Sequence, residues 1–531
     1  MKKILALILI SSMMAVMLTG CGNNNATSID KSTEVQGSES QSANENGEES
    51  SEKVAVENGE IYEVIMQWPS YGDSPPGLAD VEDAINEIIE AEIGVRLKLE
   101  PVLVTNLLNE TALKVSSGEK LDLCLALNTG VGPYVNNGSI IPLDTLAADY
   151  GKDIMEICGN SLAGGYYNKI LYGIPCAYIN GEEYGYAART DLLEKYGYEI
   201  DPDTYYDLEF MEELFATVKA GEGENFFMVA GGANSDMAFE SSTPYDKLGA
   251  TKASGVLPLW KSWEDTEIVN LFASDYYAAY AQRMYDWAQK RYLSSDMATT
   301  SESRVGLVAS GNYLGCFAGN ISGGKMAEAD YSNQTGMDMT LIRLVEPYSA
   351  MNMFQNVLWC IPATCENPEK TMQFFNYLYI DNRISNLLAY GIEGVSYVVV
   401  ERGEDNSVIA LPEGFTIDNL PYYSRFGVYG NRLNQHVKSP GTLTSLKELR
   451  DWSENITRKS PALGYCFVSD SVSAEYSAVT AVIVQYQAII SAGGANPEEQ
   501  LPRFLADLEA AGINKVIEEN QRQLDKWLAD Q

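Results

Sequence analysis

Three short apolar stretches separated by two amphipathic ones, all within residues 61–127, constrain the fold more than anything else in this chain. Residues 61–67 read as a strand, and Val81, Ala84, Ile85, Ile88 and Ile89 then share one helical face that ends near Gly94. Val95, Leu97 and Leu99 alternate as a second strand; Leu107, Leu108, Thr111, Ala112 and Val115 give a second helix stopped by Gly118; residues 121–127 are a third strand. Crossovers between strands of one sheet are right-handed, so this βαβαβ pattern predicts a parallel sheet. Ligands of such sheets gather beyond the carboxyl ends of the strands, where strand order reverses. Two loops are thereby nominated, Trp68 to Asp73 and Asn128 to Gly130.

The residues before this unit are of another kind. Lys2 and Lys3 precede an apolar run, Ile4 to Leu18, that is short for a membrane span and is flanked like a secretory leader. It ends in Leu18-Thr19-Gly20-Cys21, which resembles the lipobox of bacterial lipoproteins, where the leader is cut before the cysteine and the sulfur is acylated. The alternative is an ordinary cleaved leader with a chance cysteine. Two or more acyl chains, at about 0.8 kcal/mol per buried methylene, anchor a protein stably. Residues 1–20 are therefore expected to be a signal peptide and Cys21 the lipidation site. Residues 21–59 are expected to be a disordered acidic linker, because positions 22–60 hold no aromatic residue and are crowded with Asn, Ser, Gly, Gln and Glu. A flexible chain of that length spans roughly 35 Å.

A net charge of −38, from 36 basic and 74 acidic residues, argues against nucleic acid and against docking on anionic lipid. Roughly 470 residues follow the linker, enough for two large domains. Cys124, Cys158, Cys176, Cys316, Cys360, Cys365 and Cys466 leave an odd number beyond Cys21, and most sit in apolar surroundings that suit buried thiols; a Cys360–Cys365 bridge stays open. The single histidine, His436, lies in Asn-Gln-His-Val-Lys and reads as a surface residue. Without a second histidine or a zinc-like cysteine spacing, hydrolases built on serine, cysteine or zinc are set aside. No EF-hand-like spacing supports calcium, and no cofactor is expected.

Further along, Leu171-Tyr172-Gly173-Ile174-Pro175 suits a crossing between domains, followed by an aromatic strand from Tyr184 to Arg189 and a helix from Thr190 to Tyr196. Residues 276–292 read as a helix, 305–309 as a strand, and 311–315 as a glycine-rich loop. A strand over 356–361 leads to a helix over 369–379.

Several of these segments together resemble a known family. The lipobox, the acidic linker, Lys120-Leu121-Asp122-Leu123, Tyr172-Gly173-Ile174-Pro175, Arg189-Thr190-Asp191-Leu192-Leu193, Asn367-Pro368-Glu369-Lys370 and Tyr390-Gly391-Ile392-Glu393-Gly394 occur in the order seen in extracellular solute-binding lipoproteins of ABC sugar transporters, the maltose-binding-like family. The tail from Ala511 to Trp527 is similar to that of an aldouronate- or oligosaccharide-binding subgroup. The resemblance implies an α/β, two-lobed periplasmic-binding-protein-like fold with a hinge and an interlobe ligand cleft. Lobe 1 would hold residues 60–175 and 350–400, and lobe 2 residues 176–349 and 401–531 with a carboxyl-terminal helical extension. The chain would cross near Gly173–Pro175, near residue 350 and near residue 400. It also implies a lipid-anchored monomer on the extracellular face of the membrane that hands carbohydrate to permease subunits, without catalysis.

A sugar offers apolar C–H faces ringed by hydroxyls, so its site needs flat aromatic rings and planar polar groups. The 33 Tyr and 7 Trp against 14 Phe suit that chemistry, although Tyr also fills cores and surfaces. Trp68, at the end of the first strand beside Pro69, is the leading candidate to stack on sugar. Asn128 and Asp122 come from the same sheet edge, and Asp122 is equally placed to brace a loop. Asn356 is a candidate hydroxyl partner, and Trp359 faces either cleft or core. From lobe 2, Arg189 is set to meet a uronate or a local acid, while Asn312 and Tyr313 occupy the glycine-rich loop. Glu393 either binds sugar or stabilises the hinge, and Trp260 and Trp263 either extend the cleft or pack on the tail. Two rival classes stand beside this reading: a glycan hydrolase or lyase, which needs only paired carboxylates, and a binding protein for another solute such as a peptide.

Overall fold

The central strand of the first lobe, β1 (Tyr62–Ser70), is buried over most of its length, as a strand covered on both faces must be. It pairs in parallel with β2 (Val95–Leu103), from Tyr62 opposite Val95 to Ser70 opposite Leu103. On its other side the Gln67 N–H donates to the Leu123 carbonyl at 2.9 Å, just before β3 (Cys124–Leu127). The helix Leu78–Ile93 fills the first crossover with Val81, Ile85 and Ile89 inward and stops at Gly94, φ 65°. Gly118, φ 73°, ends the second helix, Leu107–Ser117, in the same way. The predicted parallel unit is present, in the order β2-β1-β3. The computed structural model describes residues 61–530 apart from 233–236, 250, 301, 320 and 418; the expected signal peptide, Cys21 and the acidic linker lie outside the described residues.

A hairpin of β4 (Tyr166–Tyr167) and β5 (Ile170–Leu171) leads to β6 (Ile174–Pro175), after which the chain leaves the first core. The second sheet is built around β7 (Glu182–Arg189), with β8 (Phe227–Val229), β9 (Tyr313–Ala318) and β10 (Met339–Tyr348) in the order β10-β7-β9-β8. Tyr186, Phe215, Tyr277 and Trp287 pack there with Phe504 and Leu508 of the tail helix Pro497–Ala511. Residues 305–309, expected as a strand, lie in a helix, Arg304–Ala309: Ser303 accepts the Gly306 N–H at 3.0 Å as an N-cap, and β9 begins at Tyr313 within the expected glycine-rich loop. A short apolar run without period is ambiguous between the two states, and here the cap decides it.

The chain returns to lobe 1 as β11 (Val357–Cys360), antiparallel to both β3 and β6. A small sheet follows, of β12 (Val398–Arg402), β13 (Ser407–Ala410) and β14 (Val437–Lys438). Tyr422, Phe426 and Tyr429 are buried in the first core against Trp68 and Trp359, so residues up to about 430 belong with lobe 1. The third crossing therefore lies after Tyr429, not near 400, because Tyr422 packs on Trp68 of β1 and Phe426 and Tyr429 pack on Trp359 of β11. All seven described cysteines are free, Cys360 and Cys365 included. Among the described residues no helix is long and apolar enough to cross a membrane.

Candidate functional site

The carboxyl ends of β1 and β3 open into a cavity of about 410 Å³, lined from lobe 1 by Tyr71, Asn128, Phe354 and Asn356. Asn128 adopts a left-handed backbone, φ 58°, a conformation that asparagine tolerates better than most residues. Its N–H donates to the Asn356 carbonyl at 2.7 Å, which fixes the two residues beside each other at the ends of adjacent strands. The first crossing adds Tyr178, Asn180 and Glu182, and Ser161 holds the Asn180 amide oxygen with a 3.0 Å hydrogen bond. Lobe 2 supplies Met326 and Asp330 from the helix Lys325–Thr335, and the third crossing supplies Arg432, His436 and Lys438.

The polar groups here are positioned by specific partners. Lys438 donates to Asp330 Oδ1 and to Tyr423 Oη, each at 3.2 Å. Burial pulls its ammonium down, but Asp330 and Tyr423 outweigh burial and hold it above the usual lysine range. Burial also lowers the pKa of His436. Its neutral ring accepts the Ser407 N–H on Nδ1 at 3.2 Å and stacks on Tyr390, 6.3 Å between centroids. His436 is thus a half-buried wedge in the cavity wall and not a surface residue.

Glu182 is buried where the first crossing enters β7, and loss of solvent pushes its carboxyl up to about 7 despite a hydrogen bond from the Tyr184 hydroxyl. From the ordinary value of 4.5 to about 7 the folded state retains a proton that the unfolded chain has released, so stability falls as pH rises through that window. Glu182→Gln removes this term. Between pH 4.5 and 8 wild type should lose about 3 kcal/mol more than the variant in urea unfolding; parallel pH profiles for the two would refute the assignment.

Of the residues nominated from sequence, Asn128 and Asn356 come together in the cavity and the others do not. Trp68 is 3% exposed in the first core, its Nε1–H donating to Tyr422 Oη at 3.2 Å. Pro69 and Ser70 continue β1 past it, so Trp68 is strand interior and not cleft wall. Trp359 is fully buried, stacked on Tyr429. Asp122 is a brace: it accepts from Tyr62 Oη at 2.5 Å and from the Ile65 N–H at 2.8 Å. Arg189 pairs with Asp191 and donates to the Gly311 carbonyl at 3.0 Å, away from the cavity. Tyr313 packs on Phe227 in a core, and the exposed Asn312 gives its carbonyl to the Phe227 N–H at 2.9 Å. Glu393 pairs with Arg402 on the surface. Trp260 packs on Tyr276, and Trp263 on Tyr348. Tyr178, Asp330, Arg432 and Lys438 were not foreseen. Their one sequence signal was the Ile174-Pro175 crossing, which places Tyr178 just beyond it.

A crystal structure of an N-glycan transport solute binding protein, NgtS of Streptococcus pneumoniae, superposes with a TM-score of 0.74 at 22% identity, over 88% of this chain and 99% of that one. The fold is that of the solute-binding proteins. The alginate-binding protein AlgQ2 shares this solute-binding fold at a TM-score of 0.59 and 13% identity, over 89% of this chain and 100% of that one. In sequence, a carbohydrate ABC transporter substrate-binding protein of Streptococcus pneumoniae is 25% identical over 495 residues, covering 90% of this chain and 93% of that protein. Residues 461–529 match a family described as a domain of unknown function, DUF3502. In this solute-binding fold that segment is the tail that completes the core of lobe 2. Among the described residues no group of three or more His, Cys, Asp or Glu is arranged to hold a metal ion.

Proposed function

We propose that this chain is the membrane-tethered substrate-binding component of an ABC importer, which captures an oligosaccharide by lobe closure and delivers it to a permease. The observation that carries this reading is the interlobe cavity. There Tyr71, Tyr178 and Tyr390 supply flat aromatic surface, while Asn128, Asn180 and Asn356 supply planar donors and acceptors. Related structures are named as complexes with Man1GlcNAc and Man5GlcNAc, which supports a glycan as cargo here. A ligand touching both lobes shifts an open–closed equilibrium by its differential affinity, and no chemical step is needed. The protein would work as a monomer outside the cytoplasmic membrane, held by a lipid on Cys21.

Thermal unfolding of the protein lacking its leader, with neutral oligosaccharides, uronate-bearing oligosaccharides and peptides, tests the proposal. A glycan at a hundred times its Kd should add roughly 2.7 kcal/mol and be recovered intact. A shift with peptides alone would keep the fold and overturn the cargo, and recovery of shortened glycan would revive a hydrolase or lyase. Cys21→Ala should release the protein from the membrane fraction.

A further inference from the structure

With 74 acidic residues against 36 basic ones, a cation in this chain finds a carboxylate easily, and Lys438 in the cavity does so with Asp330. Arg432, six positions earlier and lining the same cavity, does not. Its guanidinium carbon lies 4.1 Å from the centroid of the Tyr178 ring, and among the described residues no carboxylate stands within ion-pair distance of it. The Asp330 charge reaches it only at longer range and is already engaged by Lys438.

The arrangement is built into the hinge. The Ala177 N–H donates to the Gly430 carbonyl and the Arg432 N–H to the Ala177 carbonyl, each at 3.0 Å, so the first and third crossings are laced together at the residues that carry Tyr178 and Arg432. Asn431 caps the following turn through a 3.2 Å bond from the Leu433 N–H. A ring face returns only part of what a cation loses on leaving water, and it takes no in-plane N–H···O bond from the guanidinium, whose forked donors suit a bidentate acceptor. The other titratable groups of the cavity do not fill that role. Asp330 is neutralised by Lys438, His436 is held neutral by burial, and the Glu182 carboxyl is directed to Tyr184. Arg432 therefore stands in the cavity of a strongly acidic protein over a ring and, among the described residues, without a carboxylate partner of its own.

Resting on the reading of this cavity as a glycan site, we infer that Arg432, oriented by Tyr178, selects a saccharide bearing an anionic group, a carboxylate or a sulfate ester, and receives that group on its guanidinium edge. Neutral sugars fit the same aromatic surface but leave the charge of Arg432 unmatched.

The test is competitive. The purified protein is incubated with an equimolar pool of neutral, uronate-bearing and sulfated oligosaccharides, and the retained species are identified by mass spectrometry. Titration calorimetry then compares the best ligand with its form neutralised by methyl esterification or desulfation. Acidic species should be retained, carboxylate or sulfate according to the true source of the charge. Neutralisation should weaken binding roughly tenfold to a hundredfold. Arg432→Gln should abolish that difference, so that the acidic ligand and its neutralised form bind alike, and Arg432→Lys should keep part of it. Preferential retention of neutral species by wild type overturns the inference and leaves the carbohydrate reading standing, a result that needs no variant to fold. Equal weakening of acidic and neutral ligands by Arg432→Gln also overturns it, since that marks a structural role. Retention of no glycan overturns the inference together with the carbohydrate reading.

Discussion

Gly165→Ala should destabilise the protein by about 3 kcal/mol and weaken ligand capture with it. A Cβ at this position would fall far inside van der Waals contact with the carbonyl oxygen of Gly173, and a backbone atom cannot rotate away as a flexible side chain would. The same two segments are joined by hydrogen bonds from the Tyr172 and Gly173 N–H groups to the Gly165 carbonyl, at 2.9 and 3.2 Å. Any shift that makes room for the methyl group must break this pair. Gly173 leads directly into β6 and the first crossing, so the displacement would reach Tyr178 and Asn180 in the cavity wall. Gly164 is confined in the same way, its Cβ direction blocked by the carbonyl of the cavity residue Phe354. Gly72, with nothing within 4 Å of its Cβ direction, is the control, and alanine there should stay within about 0.5 kcal/mol of wild type. Equal urea midpoints for the two variants would show that the 165–173 contact is not close-packed.

Trp359→Ala should cost 3–5 kcal/mol, at about the upper end of core truncations. The indole is fully buried on β11, the strand that joins β3 to β6, with Tyr429 stacked at 6.1 Å and Phe426 edge-on at 6.3 Å. Removing it opens a cavity beneath the segment that brings the chain to its third crossing. Its Nε1–H is buried without a partner among the described residues, so Trp359→Phe gives up an unsatisfied donor along with some volume and should cost far less than alanine. If alanine and phenylalanine were equally damaging in urea unfolding, the indole N–H would have to be satisfied and the packing argument would fail.

Trp359 and Trp68 also show where sequence reasoning reached its limit. Strand periodicity made β1, β2, β3 and β11 legible, and glycine stops placed both crossover helices, because these depend on local pattern. Which face of a strand meets the core depends on what packs over it. For Trp68 and Trp359 that cover comes from Tyr422 and Phe426, whose own positions depend on long-range burial. The switch in strand order pointed to the loops after β1 and β3, and Tyr71 and Asn128 line the cavity from those loops. Arg432 and Lys438 carried no local signal. They lie in a stretch without apolar period, placed by pairing of the third crossing with Ala177 and of β14 with β13. Residues 305–309 form a helix where a strand is expected because the five apolar or small residues after Arg304 satisfy a helix turn as readily as a short strand.

The core of lobe 2 gathers residues from opposite ends of the described chain. Tyr184 and Leu248 share a cluster with Val516 and Leu524, and Tyr186 and Phe215 share another with Phe504 and Ile513. A chain that emerges from its amino end presents the βαβαβ unit of lobe 1 first, and the pairing of β1 with β2 is close in sequence, although Trp68 waits for Tyr422. The sheet around β7 emerges next and must wait, with apolar surface uncovered, for the tail that caps it. Protein clipped anywhere before Phe504 would present an unfinished hydrophobic face to proteases and to other chains, whereas the whole chain closes both cores.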